Sequence, residues 1–163
     1  MYRNALYEIG KLLQATDGIT HVYVQQRDFN GQFDIVNSIG GLQKHTDVLA
    51  VVKTTGINDI YKSEDYGAFG FKMGITIELF AGVDAVSDYA KSSESSFDRA
   101  CLSVLKKFQS YNQMLVTQSD GDTAALTIES VSSVTARDMT VVEELNKSAH
   151  HITFTLEARE TLV

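Results

Sequence analysis

Apolar residues near the start of the sequence recur at helical spacing. Between Tyr2 and Gln14 they fall at the i, i+3, i+4 and i+7 positions of one helix face. Asp17-Gly18 follows, and glycine readily adopts the positive φ that ends a helix. We therefore predict a first amphipathic helix over this segment. Its apolar stripe consists of Ala5, Leu6, Ile9, Leu12 and Leu13.

Three segments in the first half have strand patterns. Ile19 to Gln26 is rich in β-branched and aromatic residues. Val48 to Thr54 is a nearly continuous apolar run, which is typical of a strand buried on both faces. Phe71 to Phe80 alternates apolar and other residues with a period of two, the clearest strand pattern in the chain.

The second half begins with another helix pattern and continues with strands. Ser92 to Asn112 has an apolar stripe at helical spacing, and Ser95 with Asp98 three residues later resembles a capping box. The stripe consists of Phe97, Ala100, Cys101, Val104, Leu105 and Phe108. The strands predicted after this helix are Met114–Gln118, Ala124–Val134 and His150–Ala158.

Three polar segments lie between these elements. Residues 27–46 contain the turn signal Asn30-Gly31 and are predicted to form an arm or an irregular hairpin. Residues 58–70 are predicted to project as a loop, and residues 135–149 as an extended loop or a short amphipathic helix. The whole chain, residues 1–163, is predicted to be a single α+β domain. It would have a mostly antiparallel sheet with two main helices packed on one face, and extended loops.

Composition narrows the classes of function. The net charge is −7 and the only basic cluster is Lys106-Lys107, so a phosphate-binding face is not expected. An acidic surface would still suit a passage through which DNA moves without sticking. The chain has no apolar run near the ~20 residues of a membrane span and no apolar signal segment. We therefore expect no membrane partner and a location in the cytoplasm or in a particle assembled there.

No catalytic, cofactor-binding or metal-binding residues are predicted. The single cysteine, Cys101, lies on the apolar stripe of the second helix and is expected to be a buried, unreactive core residue. His150 and His151 would point to opposite faces of a strand and could not chelate a metal together. His21 and His45 lie at strand entrances, and surface or edge positions would explain all four histidines.

The order of these elements resembles that of the tail terminator (tail-completion) proteins of long-tailed bacteriophages. The segments that carry the resemblance are YRNALYEIGKLL, HVYVQQ, DVLAVVKTTG, FKMGITIELF, SSFDRACLSVLKKF and HITFTLEA. The resemblance implies a virion protein, assembled in the host cytoplasm, that forms a homohexameric ring. That ring would cap the tail tube, stop its polymerisation and meet the head-side connector or stopper protein, with DNA only as passing cargo.

The resemblance also suggests where the contacts lie. The loop at 58–70, which carries Lys62, Glu64 and Asp65, would contact the tube or face the lumen. The segment at 135–149 would form a subunit interface through Met139, Val141, Val142 and Leu145. Other classes stay open: another neck or head-completion protein, a tail-assembly chaperone, a cellular α+β binding module, or an enzyme whose site is assembled from scattered residues.

Overall fold

Two helices and one sheet make up the part of the chain that is described. The computed structural model describes residues 2–24, 48–62, 69–83, 88–109, 113–117, 123–134, 138–142 and 147–162. Helix α1 is Tyr2–Gln14, with the predicted bounds, and helix α2 is Ser93–Gln109. A 3₁₀ turn at Tyr89–Lys91, which the sequence pattern did not predict, leads into α2.

Within these ranges seven strands form a single sheet. Their order is β1-β2-β3-β7-β5-β4, and β6 pairs with β7 beside the end of β5. Only β1 and β2 are parallel; every other pair is antiparallel. The predicted α+β class with a mostly antiparallel sheet is therefore confirmed. The strands are β1 His21–Val24, β2 Val48–Lys62, β3 Phe69–Gly82, β4 Gln113–Thr117, β5 Thr123–Val134, β6 Asp138–Val142 and β7 Lys147–Leu162.

Strand β7 holds the two halves of the sheet together. One of its edges pairs with β3 from end to end, from Ala149 opposite Gly82 to Leu162 opposite Phe69. Its other edge is shared, because β5 pairs from Phe154 onwards and β6 pairs over 147–151. Strand β6 is therefore attached to the sheet through five residue pairs with β7 alone among the described strands.

Both helices pack on the same face of the sheet, as predicted. Alternate residues of β2, β3 and β7 point toward the helices, which is the period of two expected of strands. Helix α1 contacts β1 and β2 at one edge of the sheet and β4 at the other edge, so the sheet curves around the helical layer. The fully buried core on this face consists of Ala5, Leu6, Ile9, Leu13, Val48, Ala50, Val52, Phe71, Met73, Ile75, Ile77, Leu79, Ala81, Phe97, Ala100, Val104, Phe108, Phe154, Leu156 and Ala158.

Glycine is required at two positions where the backbone comes close to a neighbouring element. A Cβ at Gly10 in α1 would lie 2.8 Å from Cγ2 of Val24, so this glycine allows α1 to lie against β1. Gly18, in the turn after α1, has φ +86° and would place a Cβ 3.1 Å from Cα of Ala100 in α2. Gly18 therefore serves both the turn and the close contact of that turn with α2.

The predicted projecting loop at 58–70 is largely wrong. Residues 58–62 belong to β2 and residues 69–70 to β3, so only residues 63–68 separate the strands, and those lie outside the described residues. The polar residues that suggested a loop are compatible with a strand because β2 extends well beyond β1 here and has β3 as its one described partner. Two bulges, between Thr54 and Gly56 and between Ile57 and Asp59, accommodate the irregular sequence.

The predicted loop or short helix at 135–149 is also corrected. Residues 138–142 form β6, and residues 147–149 are the start of β7. The alternation of polar and apolar residues in Asp138-Met139-Thr140-Val141 is too short to stand out as a strand pattern within this polar segment. The predicted arm at 27–46 lies outside the described residues.

The start of α2 differs from the predicted capping box. Ser92, and not Ser95, is the N-cap: its Oγ accepts a hydrogen bond from the backbone N–H of Ser95 at 3.2 Å. The same hydroxyl donates to the carbonyl of Tyr89 at 2.7 Å, which ties the cap to the preceding 3₁₀ turn. Asp98 instead accepts a hydrogen bond from the Tyr89 hydroxyl at 2.7 Å. The helix therefore begins earlier than the pattern of Ser95 and Asp98 suggested.

Candidate functional site

A group of charged and polar side chains lies on the sheet face opposite the helices. Glu78 of β3 is at its centre, forming a salt bridge with Lys53 of β2 through Oε2. Its Oε1 lies 3.4 Å from Nε2 of His151 in β7, and that nitrogen is also 3.4 Å from Oγ1 of Thr153. We call Lys53, Glu78, His151 and Thr153 the charged cluster; it connects three adjacent strands.

Strand register explains how the cluster assembles. Val51 is opposite Glu78, so Lys53 lies two residues along β2 on the same face and reaches Glu78 diagonally. His151 is opposite Phe80 and reaches Glu78 across the other diagonal. The imidazole also stacks on the Phe80 ring, with 4.7 Å between centroids and 25° between planes. The histidine is thereby fixed against an apolar surface on one side and a carboxylate on the other.

The electrostatics of the cluster favour an ionised carboxylate. The hydrogen bond with His151 is the largest influence and lowers the pKa of Glu78 below 4.5; Lys53 adds to this, and partial burial opposes it. A carboxylate with a lowered pKa is a weaker base, so Glu78 is poorly suited to abstracting protons near neutral pH. Among the described residues, no group of three or more His, Cys, Asp or Glu side chains could hold a metal ion. The cluster is best understood as an ion network that connects strands.

The adjacent histidine lies on the opposite face, as predicted for neighbours in a strand. His150 is buried, with only 5% of its surface exposed, and its Nε2 lies 3.1 Å from Oγ of Ser93 at the start of α2. Its ring stacks on Phe97 with 5.6 Å between centroids. The expectation of a surface or edge position is therefore wrong for His150. It holds for His21, which is exposed at the start of β1, while His45 lies outside the described residues.

The remaining candidate for chemistry is confirmed as a core residue. Cys101 is buried on α2 among the side chains that pack on the sheet. Both the thiol and the Ser93–His150 pair are enclosed, so neither presents a nucleophile to solvent.

The far end of the β2–β3 hairpin presents apolar side chains to solvent. Ile57 is 41% exposed and Ile60 63% exposed, both on the part of β2 that extends beyond β1. Lys62, one of the predicted contact residues, is exposed at the last position of β2. Glu64 and Asp65 lie outside the described residues. We call Ile57, Ile60 and Lys62 the hairpin end.

The predicted interface residues of the second segment fall mostly on one strand. Met139, Val141 and Val142 belong to β6, where their partners in β7 are His150, Ser148 and Lys147. Leu145 lies outside the described residues. The structure therefore brings these three together on a short strand that pairs with β7 alone among the described strands, far in sequence from the hairpin end.

A groove follows the contact between α1 and β1. It has a volume of about 440 Å³, and Tyr7 and Tyr23 are exposed beside it. Its remaining lining is formed by Gly10, Lys11, Gln14, Val22 and Val24. Lys11 is the one charged residue of this described lining, and its Nζ lies 2.7 Å from Oε1 of Glu8.

Sequence reasoning missed the charged cluster. Lys53 and Glu78 are visible in the sequence as polar interruptions of apolar strands, but only the register shows that they meet.

No protein-family model matches the chain, and no curated protein matches it significantly. None of the described helices is long and apolar enough to cross a membrane.

Proposed function

We propose that this chain is a structural virion protein resembling a tail terminator. It would form a hexameric ring that caps the tail tube and joins it to the head-side connector or stopper protein. The hairpin end is the observation that carries the proposal, because β2 and β3 extend beyond the short edge strand β1 and present Ile57 and Ile60 to solvent. Exposed apolar side chains on a projecting element are typical of a protein contact surface.

The sheet topology is compatible with assembly. A closed ring requires two different, complementary surfaces on each subunit. The hairpin end and strand β6 are two such candidates, since they lie on different elements and pair with different strands. In the proposed ring, β6 contacts the next subunit through Met139, Val141 and Val142, and the hairpin end contacts the tube.

The charge of the chain supports the same assignment. With a net charge of −7, a ring of six copies would repel DNA from its lumen surface rather than bind it. DNA would then be cargo that passes through the ring. The two helices pack on one face of the sheet, and this layer would support the hairpin end and β6 in the ring.

The mass of the chain in solution tests the ring. We expect a hexamer by sedimentation velocity and a ring by negative-stain electron microscopy. Val141→Asp should abolish the ring because it places a charge in the proposed interface. The control is Leu102→Asp: Leu102 is 57% exposed on α2, away from both proposed surfaces, and this variant should assemble normally. A wild-type chain that stays monomeric at every concentration would contradict the ring and favour a binding module.

A second experiment tests the hairpin end. Ile57→Ser combined with Ile60→Ser should leave the ring intact but impair its binding to tubes assembled from the tail tube protein encoded with this chain. Tube length by electron microscopy is the measurement: wild-type protein should limit it, and the double variant should not. If the double variant caps tubes as well as wild type, the hairpin end is not the tube contact.

A further inference from the structure

Strand β2 has a long edge that is open to solvent in the described part of the sheet. Strand β1 pairs with β2 only from Leu49 to Val52, whereas β2 continues to Lys62. Over the last ten of its 15 residues, β3 is the one described strand that pairs with β2. This stretch is roughly 33 Å long, and the side chains of Thr55 and Asp59 are exposed along it. An open edge of this kind presents main-chain N–H and C=O groups to which another chain can pair.

The apolar side chains on this edge continue the buried core of the sheet. Ile57 is opposite Met73, and Ile60 is opposite Phe71. Directly opposite residues of an antiparallel pair point to the same face, and both partners in β3 are buried on the helix side. Residues three apart in a regular strand would point to opposite faces, but the bulge between Ile57 and Asp59 adds one residue, so both isoleucines lie on the helix side. They are exposed there, and they extend the apolar face beyond its covered area.

The other face of the same edge is polar. Lys53 is opposite Thr76, and Asp59 is opposite Lys72, so both side chains lie on the face away from the helices. A segment that completes the edge must therefore be extended. Its side chains must alternate between apolar ones toward the helix side and polar ones on the other face.

We propose that the edge of β2 from Lys53 to Lys62 accepts an extended, amphipathic segment of the tail tube protein as an added strand. The main chain of this segment pairs with β2, and its apolar side chains cover Ile57 and Ile60. The two bulges and the exposed charges of Asp59 and Lys62 hinder indiscriminate pairing of edges. The edge is therefore selective for a strand that matches it.

The tube protein as the source of the strand rests on the proposed function, in which the hairpin end contacts the tube. Strand addition makes a separate demand on the main chain of β2. Alternate N–H groups of an edge strand point away from its one neighbour, and an added strand would bond them. Contact through side chains alone would leave these groups in water.

Amide hydrogen exchange of the full chain, with and without tubes assembled from the tail tube protein encoded with it, tests the added strand. On tube binding, alternate amides of 53–62 should become protected by roughly tenfold or more. The amides of β3 are the internal reference, because this strand is paired on both sides and should be protected in both states. Cosedimentation with the tubes measures binding in the same samples.

The outcomes separate the added strand from the proposed function. Tube binding without new protection of 53–62 overturns the added strand and leaves the tube contact in place. Absence of tube binding overturns the tube contact and the added strand together. Protection of 53–62 that appears when copies of the chain assemble without tubes would show that a second copy occupies the edge, which overturns the tube protein as the partner.

A matched pair of variants tests the edge itself. Ile60→Lys places a cation where the added strand would bury apolar side chains, and it should weaken tube binding by roughly tenfold or more and remove the protection. The control is Leu102→Lys, the same change at a residue of similar exposure on α2, which should bind tubes like wild type. Ile60→Val keeps an apolar, β-branched side chain and should also bind normally. Circular dichroism checks that the variants are folded, and the inference is wrong if Ile60→Lys binds tubes and protects 53–62 as wild type does.

Discussion

Oγ of Ser93, the first residue of α2, lies 3.1 Å from Nε2 of His150 in β7, and both residues are buried. The pair joins the start of the second helix to the central strand of the sheet, across 57 residues of sequence. Phe97, one turn further along α2, stacks on the same imidazole. The polar contact is therefore enclosed by apolar packing, where the loss of a hydrogen bond is costly.

The first prediction concerns this pair. Ser93→Ala should lower the free energy of unfolding by about 1 kcal/mol, because it removes a buried hydrogen-bonding group from His150. Ser103→Ala is the control, since Ser103 is a half-buried serine of the same helix, and it should change stability by less than about 0.5 kcal/mol. Urea denaturation of both variants decides the point. Equal effects would mean that the contact contributes nothing specific.

The second prediction concerns the cap of α2. Ser92→Ala should destabilise the chain by about 1 kcal/mol, because Oγ of Ser92 accepts the N–H of Ser95 and donates to the carbonyl of Tyr89. Ser95→Ala keeps the backbone N–H that the cap uses, and should cost clearly less. Thermal unfolding of the two variants compares them directly. A larger loss in Ser95→Ala would restore the capping box inferred from the sequence.

The third prediction concerns the turn between α1 and β1. Gly18→Ala should lower the free energy of unfolding by about 2 kcal/mol, because the residue has φ +86° and its Cβ would meet the backbone of Ala100. The control is Gly82→Ala at the end of β3, where a Cβ meets nothing within 4 Å, and its effect should stay within about 0.5 kcal/mol. Chemical denaturation at one temperature gives both values. Similar values for the two variants would show that the turn tolerates a side chain.

The spacing of apolar residues in the sequence is sufficient to predict the elements that pack on the core. The stripe from Ala5 to Leu13 predicts the bounds of α1, and the alternation from Phe71 to Phe80 predicts most of β3, because in both cases apolar burial dictates the spacing. The far half of β2 was missed because an edge strand there can be polar, and Asn58 and Asp59 resemble loop residues. The cap was misplaced by three residues because several serines precede α2 and each could serve.

The charged cluster could not be predicted for a different reason. Lys53, Glu78 and His151 are far apart in sequence, and each is unremarkable by itself. Their contact depends on the register of β2, β3 and β7, and a shift of one residue would move each side chain to the other face. Register is determined by the packing of the whole sheet, which the local pattern does not contain. The same reasoning explains why His150 was not predicted to contact Ser93.

The fourth prediction concerns the pH dependence that Glu78 gives to stability. The hydrogen bond with His151, aided by Lys53, lowers the pKa of Glu78 in the folded chain below its ordinary value of 4.5. A group whose pKa is lowered by folding contributes stability above its unfolded pKa, and this contribution is lost as pH falls through the folded pKa. Glu78→Gln should therefore lower the free energy of unfolding by about 1 kcal/mol near neutral pH, and the difference from wild type should shrink at pH values below 4.5.

The control is Glu157→Gln, because Glu157 is more exposed and lies 3.7 Å from Lys72, and its effect should be small at every pH. Urea denaturation across this pH range is the measurement. If the cost of Glu78→Gln is the same in acid as at neutral pH, the carboxylate is not held ionised by His151 and Lys53.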